Sequence, residues 1–212
     1  MVEQNQHYLR KNFHLLMALC FWILMMVGFS DNWLWDTGQD TNFIPRFIIH
    51  AITAFGWFTI LVLQNILIKK RYVKHHMTLG LLAMFIYGAM ILSLGYMVYE
   101  LYEEFGRIDK MSLNTSIQAI IATVIIGIGF LSRKRNLNEH KFLMTFGTFC
   151  LIQPSMNRTA FYISDEYFFI PFVSIYLILF TAFVWYKKKL TWYMIAWLLV
   201  WLFFFYYIFL SR

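Results

Sequence analysis

Charge is what this sequence lacks most. Only 14% of its 212 residues are charged, against 60% hydrophobic and 21% aromatic, where soluble domains carry about 25% charge. So little polar surface cannot coat a globule in water, and lipid must be the solvent instead. Cysteine is scarce too. Cys20 and Cys150 both fall inside apolar runs, which excludes a disulfide framework and reads as two buried, unreactive thiols. No G-x-S-x-G, C-x-x-C, nucleotide-binding loop or H-E-x-x-H occurs, so hydrolase, thiol-redox, nucleotide and zinc-protease chemistry lack their residues. The last apolar run contains no lysine, which removes a retinal Schiff base. The net charge of +7 comes from basic residues that flank apolar runs and form no groove-like patch, so nucleic acid is not an expected partner.

What the chain does have is apolar length. Runs at 13–29, 47–68, 77–99, 115–131, 142–156, 167–186 and 190–210 are mostly long enough to cross about 30 Å of hydrocarbon as helices. Helices are required there, because backbone groups must pair without water. The first run follows Arg10 and Lys11 with no small-x-small cleavage site after it, and reads as an uncleaved span. The fifth is short and carries Gln153 and Pro154 near its end.

Charge asymmetry counts the fifth run as a span. With seven crossings, thirteen basic residues (among them Arg10, Lys11, Lys69–Arg71, Arg133–Arg135 and Lys187–Lys189) share one side. Arg46, Arg107, Lys110, Arg158 and Arg212 take the other. Six crossings would carry the lysine triplet across and weaken that asymmetry. Acids follow the opposite pattern: Asp31, Asp36, Asp40, Glu100, Glu103, Glu104, Asp109, Asp165 and Glu166 oppose Glu3 and Glu139. The positive-inside rule then predicts an all-α polytopic transmembrane bundle of seven spans with a cytoplasmic N-terminus, forming one integral membrane domain over residues 1–212.

An internal repeat organises the middle. Lys70-Arg71 and Lys134-Arg135 each open K-R-x-x-x-x-H-x-x-L, ending at His76 and Leu79 or at His140 and Leu143. This predicts two similar hairpins, spans two–three and four–five. His76 and His140, at matched depth, suit the two axial positions of haem b, with Arg71 and Arg135 facing its propionates. His75, His76, His140 and Glu139 suit a divalent metal instead. The plainer reading makes them interfacial side chains in polar turns, alongside His7 and His14. Electron transfer or redox sensing would follow from a cofactor.

A second polar cluster is expected at the outer end. It comprises Arg46, His50, Glu100, Gln118, Asn157 and Arg158, with Arg158 pairing with Glu100 or with an anionic ligand. That cluster suits an outward-facing pocket of a non-enzymatic transporter, receptor or membrane-complex subunit. Gly80, Gly88, Gly95, Gly127, Gly129 and Gly147 are read as close-packing positions. The aromatic load of the last run is read as interfacial belt and lipid contact. The lipid bilayer and other membrane proteins are the expected partners.

The pattern His50, Trp57, Gln64, Arg71, His76 and Gly80, continued by Arg135, His140, Met144, Pro154 and Arg158, resembles a family of small bacterial polytopic membrane proteins. It covers about half the chain, and His75-His76-Met77 departs from the histidine–arginine expected there. The resemblance implies the helical fold and a bacterial inner-membrane location, and points to His50, His76, His140 and Arg158. It carries no reaction. The paired histidines are also similar, at fold level only, to transmembrane cytochromes b.

Overall fold

The computed structural model describes residues 2–35, 38 and 40–210. Asp36 and Arg212, which enter the charge count, lie outside the described residues, as do the side chains of Glu3 and Asp40. Among the described residues there are eight α-helices and no strand: α1 (Val2–Gly28), α2 (Pro45–Lys69), α3 (Val73–Phe105), α4 (Lys110–Leu131), α5 (Leu137–Phe149), α6 (Gln153–Ile163), α7 (Phe169–Lys187) and α8 (Trp192–Phe205). Five of them, α1, α2, α3, α4 and α7, are long and apolar enough to cross a membrane. Helix α8 is shorter and runs on into a π-helical turn, Tyr206–Leu210.

The helices stand side by side and give the bundle two chemically distinct ends. At the basic end, Glu139 meets Lys187 at 2.6 Å, and Arg10 donates to the Trp185 carbonyl at 3.0 Å, capping α7. At the acidic end, Arg46 pairs with Glu100 and Glu104, and Lys110 donates to the Tyr207 carbonyl. The apolar surface between these ends is what a soluble protein cannot carry. Phe85 and Leu92 are each 76% exposed. In lipid this costs nothing, since hydrocarbon already surrounds the chain.

The interior is aromatic. Phe13 and Phe21 of α1, Phe142, Phe146 and Phe149 of α5, and Phe183 of α7 form one contiguous core. Tyr176 of α7 stacks on Trp201 of α8 with ring centres 3.8 Å apart. Contrary to expectation, much of the last run is therefore core. Met194, Trp197, Trp201 and Phe204 are buried, their spacings of three, four and three drawing one stripe down the helix. Only part of the run, such as Trp192 and Phe203, is exposed.

The fifth predicted span is two helices. Helix α5 stops at Phe149 and α6 starts at Gln153. Between them Leu151 and Ile152 make tight three-residue hydrogen bonds to Thr148 and Phe149. Pro154 lies in the first turn of α6; its missing N–H is harmless there and would break a continuous helix. At 13 and 11 residues, the helices measure about 20 and 16 Å, and only together match the hydrocarbon thickness.

Glycine use is narrower than expected. A side chain on Gly129 would meet Leu143 at 2.9 Å, and one on Gly147 would meet the Ile126 side chain at 2.5 Å, so α4 and α5 pack too closely at both positions to admit one. Gly28 lies similarly against Ser155 of α6. Gly88, Gly95 and Gly127 have nothing within 4 Å and serve no such contact. Cys150 is fully buried as expected, whereas Cys20 is exposed on the bundle surface.

Candidate functional site

The basic end gathers the repeated histidines but gives each a local task. His140 Nδ1 lies 2.9 Å from the Gly129 carbonyl, so it carries the proton and donates across the α4–α5 hairpin. The His76 ring lies against the Gln64 backbone in the α2–α3 hairpin, and its Nδ1 is buried without a partner among the described residues. His75 is exposed beside Tyr72. Glu139 is taken by Lys187 and by the Tyr193 hydroxyl at 2.9 Å. Burial alone would raise the Glu139 carboxyl, but those two hydrogen bonds and the charges of Lys187 and Lys189 outweigh it and hold it below the ordinary carboxylate value. Among the described residues no three His, Cys, Asp or Glu side chains converge as a metal site would require.

The two arginines named for this end serve the turns. Arg71 has φ 63°. Its N–H reaches the Ile68 carbonyl while Tyr72 reaches Leu67, the paired bonds of a Schellman closure whose left-handed position favours glycine. Arg135 is exposed, and its turn closes differently: Asn136 caps α5 by accepting from the Glu139 N–H at 3.0 Å. A polar group that spacing did not single out lies nearby. His14 of α1 touches Thr145 of α5 at 3.0 Å and Tyr186 of α7 at 3.2 Å. Thr145 gives its proton to the Lys141 carbonyl, so His14 Nδ1–H donates to it and Nε2 accepts from Tyr186.

At the acidic end a cavity brings together two of the expected residues, His50 and Gln118. The cavity, of about 80 Å³, lies among α1, α2, α3, α4 and the α5–α6 break. That is room for two or three waters at about 30 Å³ each. His50 and Gln118 line it, with Thr115, Leu151, Pro154 and Ser155. His50 Nδ1 lies 3.0 Å from Ser93 Oγ. Ser93 in turn gives its own proton to the Met90 carbonyl at 2.8 Å. Its oxygen therefore accepts from His50 Nδ1–H, with the Met90 backbone also within hydrogen-bonding reach of the ring, and this tautomer leaves Nε2 as the unprotonated nitrogen. Gln118 spends both amide hydrogens, one on Asn114 Oδ1 at 2.8 Å and the other on Gln153 Oε1.

The charged members of the expected cluster stand outside the cavity. Arg46 is held by Glu100 at 3.3 Å and Glu104 at 3.0 Å. Arg158 pairs with Asp31 at 3.4 Å and Asn32 at 3.0 Å and lies over the Phe29 ring. The expected Arg158–Glu100 pair is therefore replaced by two separate ones, because α6 ends beside the loop after α1 while α2 begins beside the end of α3. Asn157 is buried, and its Oδ1 has no partner among the described residues. As site residues, sequence reading missed Asn114, Gln153 and Ser93, Gln153 being noted only near the end of the fifth run. The Asn114–Gln118 spacing of four and the Gln153-Pro154 pair carried the signal for the first two, since each puts a polar side chain on an otherwise apolar helix.

Comparison with protein-family models, with curated proteins and with solved structures gives no match.

Proposed function

We propose that this chain is a seven-span integral membrane protein whose acidic end opens a small ligand pocket, in the manner of a transporter or receptor. Helices α5 and α6 together make the fifth crossing, and α8 with its π-helical turn makes the seventh. The basic end faces the cytoplasm, in keeping with thirteen basic residues at that end.

One observation carries the functional reading: the break between α5 and α6, beside a cavity that also holds His50 and Gln118. With α5 and α6 taken as one crossing, that break falls at membrane depth. Unpaired backbone is tolerated at such depth only inside protein or against a water-lined space. Broken helices recur at the substrate sites of membrane transporters for that reason. An ionisable side chain within the span points the same way.

The test is access from one side. In a Cys20→Ser background, Thr115→Cys is expected to react with a small, membrane-impermeant thiosulfonate added at the acidic face of sealed vesicles. Ala122→Cys, fully buried and away from the pocket, is expected to stay inert. Equal inertness of both positions, or labelling of Thr115→Cys from the basic face alone, refutes the pocket.

Haem remains a second reading on one observation. His140 donates Nδ1–H to a backbone carbonyl and keeps Nε2 free, the arrangement that ligating histidines adopt. An absorption spectrum of the purified protein, oxidised and then reduced, decides it. A Soret band lost in His140→Ala supports haem, and a colourless protein made with haem precursor removes it.

A further inference from the structure

The proton accounting around the pocket says which sign of ligand it accepts. His50 spends its one ring proton on Ser93, and Gln118 spends both amide hydrogens on Asn114 and Gln153. Thr115 donates its hydroxyl proton to the Met111 carbonyl at 3.0 Å. What these three side chains leave for a ligand is lone pairs: imidazole Nε2, an amide oxygen and a hydroxyl oxygen. Ser155, which also lines the space, adds one hydroxyl donor, while Pro154 removes an N–H from the first turn of α6, where a helix end would otherwise attract anions. Acceptors outnumber donors in the lining, which suits a cation.

The surroundings agree. Arg46 and Arg158, the two cations nearest the pocket in sequence expectation, are each neutralised by carboxylates. Arg46 has two carboxylate partners for its one charge, and Glu103 is exposed at the same end, which leaves acidic charge that concentrates cations at the mouth.

The remaining lining decides the kind of cation. Among the described residues no carboxylate borders the cavity, which disfavours hard divalent ions that need several charged oxygens. Two methionines do border it. Met25 of α1 and Met90 of α3 are both buried, and both line the space that His50 lines. Thioethers with a neutral imidazole form a soft, uncharged donor set that selects a soft monovalent ion. Neither methionine entered any functional reading of the sequence.

We propose that the pocket binds Cu(I), or its analogue Ag(I), through His50 Nε2 and the thioether sulfurs of Met25 and Met90. This rests on the ligand pocket proposed above and names what enters it.

The experiment uses the full-length protein in detergent, with Cys20→Ser and Cys150→Ala to remove competing thiols, and silver(I) as a probe that does not change oxidation state. Equilibrium dialysis with metal analysis is expected to find one silver ion per chain. The double variant Met25→Leu/Met90→Leu, which conserves volume, is expected to bind at least about tenfold more weakly with the melting of the metal-free protein little changed. X-ray absorption at the silver edge is expected to show both nitrogen and sulfur neighbours, with sulfur reduced in Met90→Leu alone, which covers the case of a double variant that does not fold. Undiminished binding in the methionine variants, or silver without sulfur neighbours, overturns the assignment. If Thr115→Cys labels from the acidic face and no silver binds, the cation assignment falls and the pocket stands. If Thr115→Cys is inert as well, both fall.

Discussion

Arg71 holds a backbone conformation that a glycine would hold more cheaply. Its φ of 63° crowds Cβ against the following carbonyl, at a cost of about 1 kcal/mol or more. Arg71→Gly is therefore expected to stabilise the protein by about 0.5–1 kcal/mol, read from the denaturation midpoint in detergent. A haem charge partner at this position would give the opposite sign. Gly147 makes the contrasting case. Its Cα lies so close to Ile126 that Gly147→Ala is expected to cost about 1–3 kcal/mol, whereas Gly88→Ala, with open space around it, is expected to gain up to about 1 kcal/mol of helix propensity. Both glycines look alike in the sequence. Which one faces a neighbour depends on the rotation of the helix, which the residues flanking the two glycines do not reveal. The same holds for His14, whose partners Thr145 and Tyr186 come from helices 131 and 172 residues away.

Helix ends were more legible than helix faces, because charge and proline mark where chain leaves lipid. Apolar runs and their basic flanks located α2, α3, α4 and α7 well. Helices α1 and α3 proved longer than their apolar runs, since helix continues past the lipid wherever nothing breaks it. The α5–α6 interruption was only half visible: Pro154 flagged trouble, but the stop falls at Phe149, where Gly28 and Ser155 dock α6 against α1. The two K-R-x-x-x-x-H segments lie in turns that close differently, because Arg71 takes a left-handed position and Asn136 caps instead, so the expected internal repeat finds no support in the turns. At the basic end, Glu139 ties α5 to the α7–α8 corner through Lys187 and Tyr193. Its carboxyl is held below the ordinary value of 4.5, so the tie stabilises fully above that pH and is lost as pH falls through the lower folded value. Glu139→Gln is expected to cost about 1 kcal/mol near neutrality and to flatten the acid limb of a stability–pH profile. An unchanged acid limb would show that the carboxylate contributes nothing there.

For the whole molecule, membrane residence followed from composition alone, and the opposition of acidic and basic ends followed from charge placement. The pocket did not. His50 and Gln118 were singled out as unusual, yet the cavity between them is made by Met25, Met90 and the α5–α6 break, apolar positions with no chemical signature until the helices are assembled. The seven-span reading predicts that Arg107→Cys and Lys188→Cys, in a thiol-free background, are labelled from opposite faces of sealed vesicles. Labelling of both from one face would remove a crossing between them.

Helix α3 has 33 residues, about 50 Å, some 20 Å more than hydrocarbon requires. Its far end carries Tyr96, Tyr99 and Tyr102, each about half exposed, a phenolic ladder one helical turn per rung. Rings of this kind settle at the headgroup level. Because His50 is fastened to Ser93 only one turn below Tyr96, the ladder acts as a plumb line for the cavity. A thicker bilayer would submerge the rungs and move the headgroups outward past His50, lengthening the path from water to its ring, while a thinner one would shorten it.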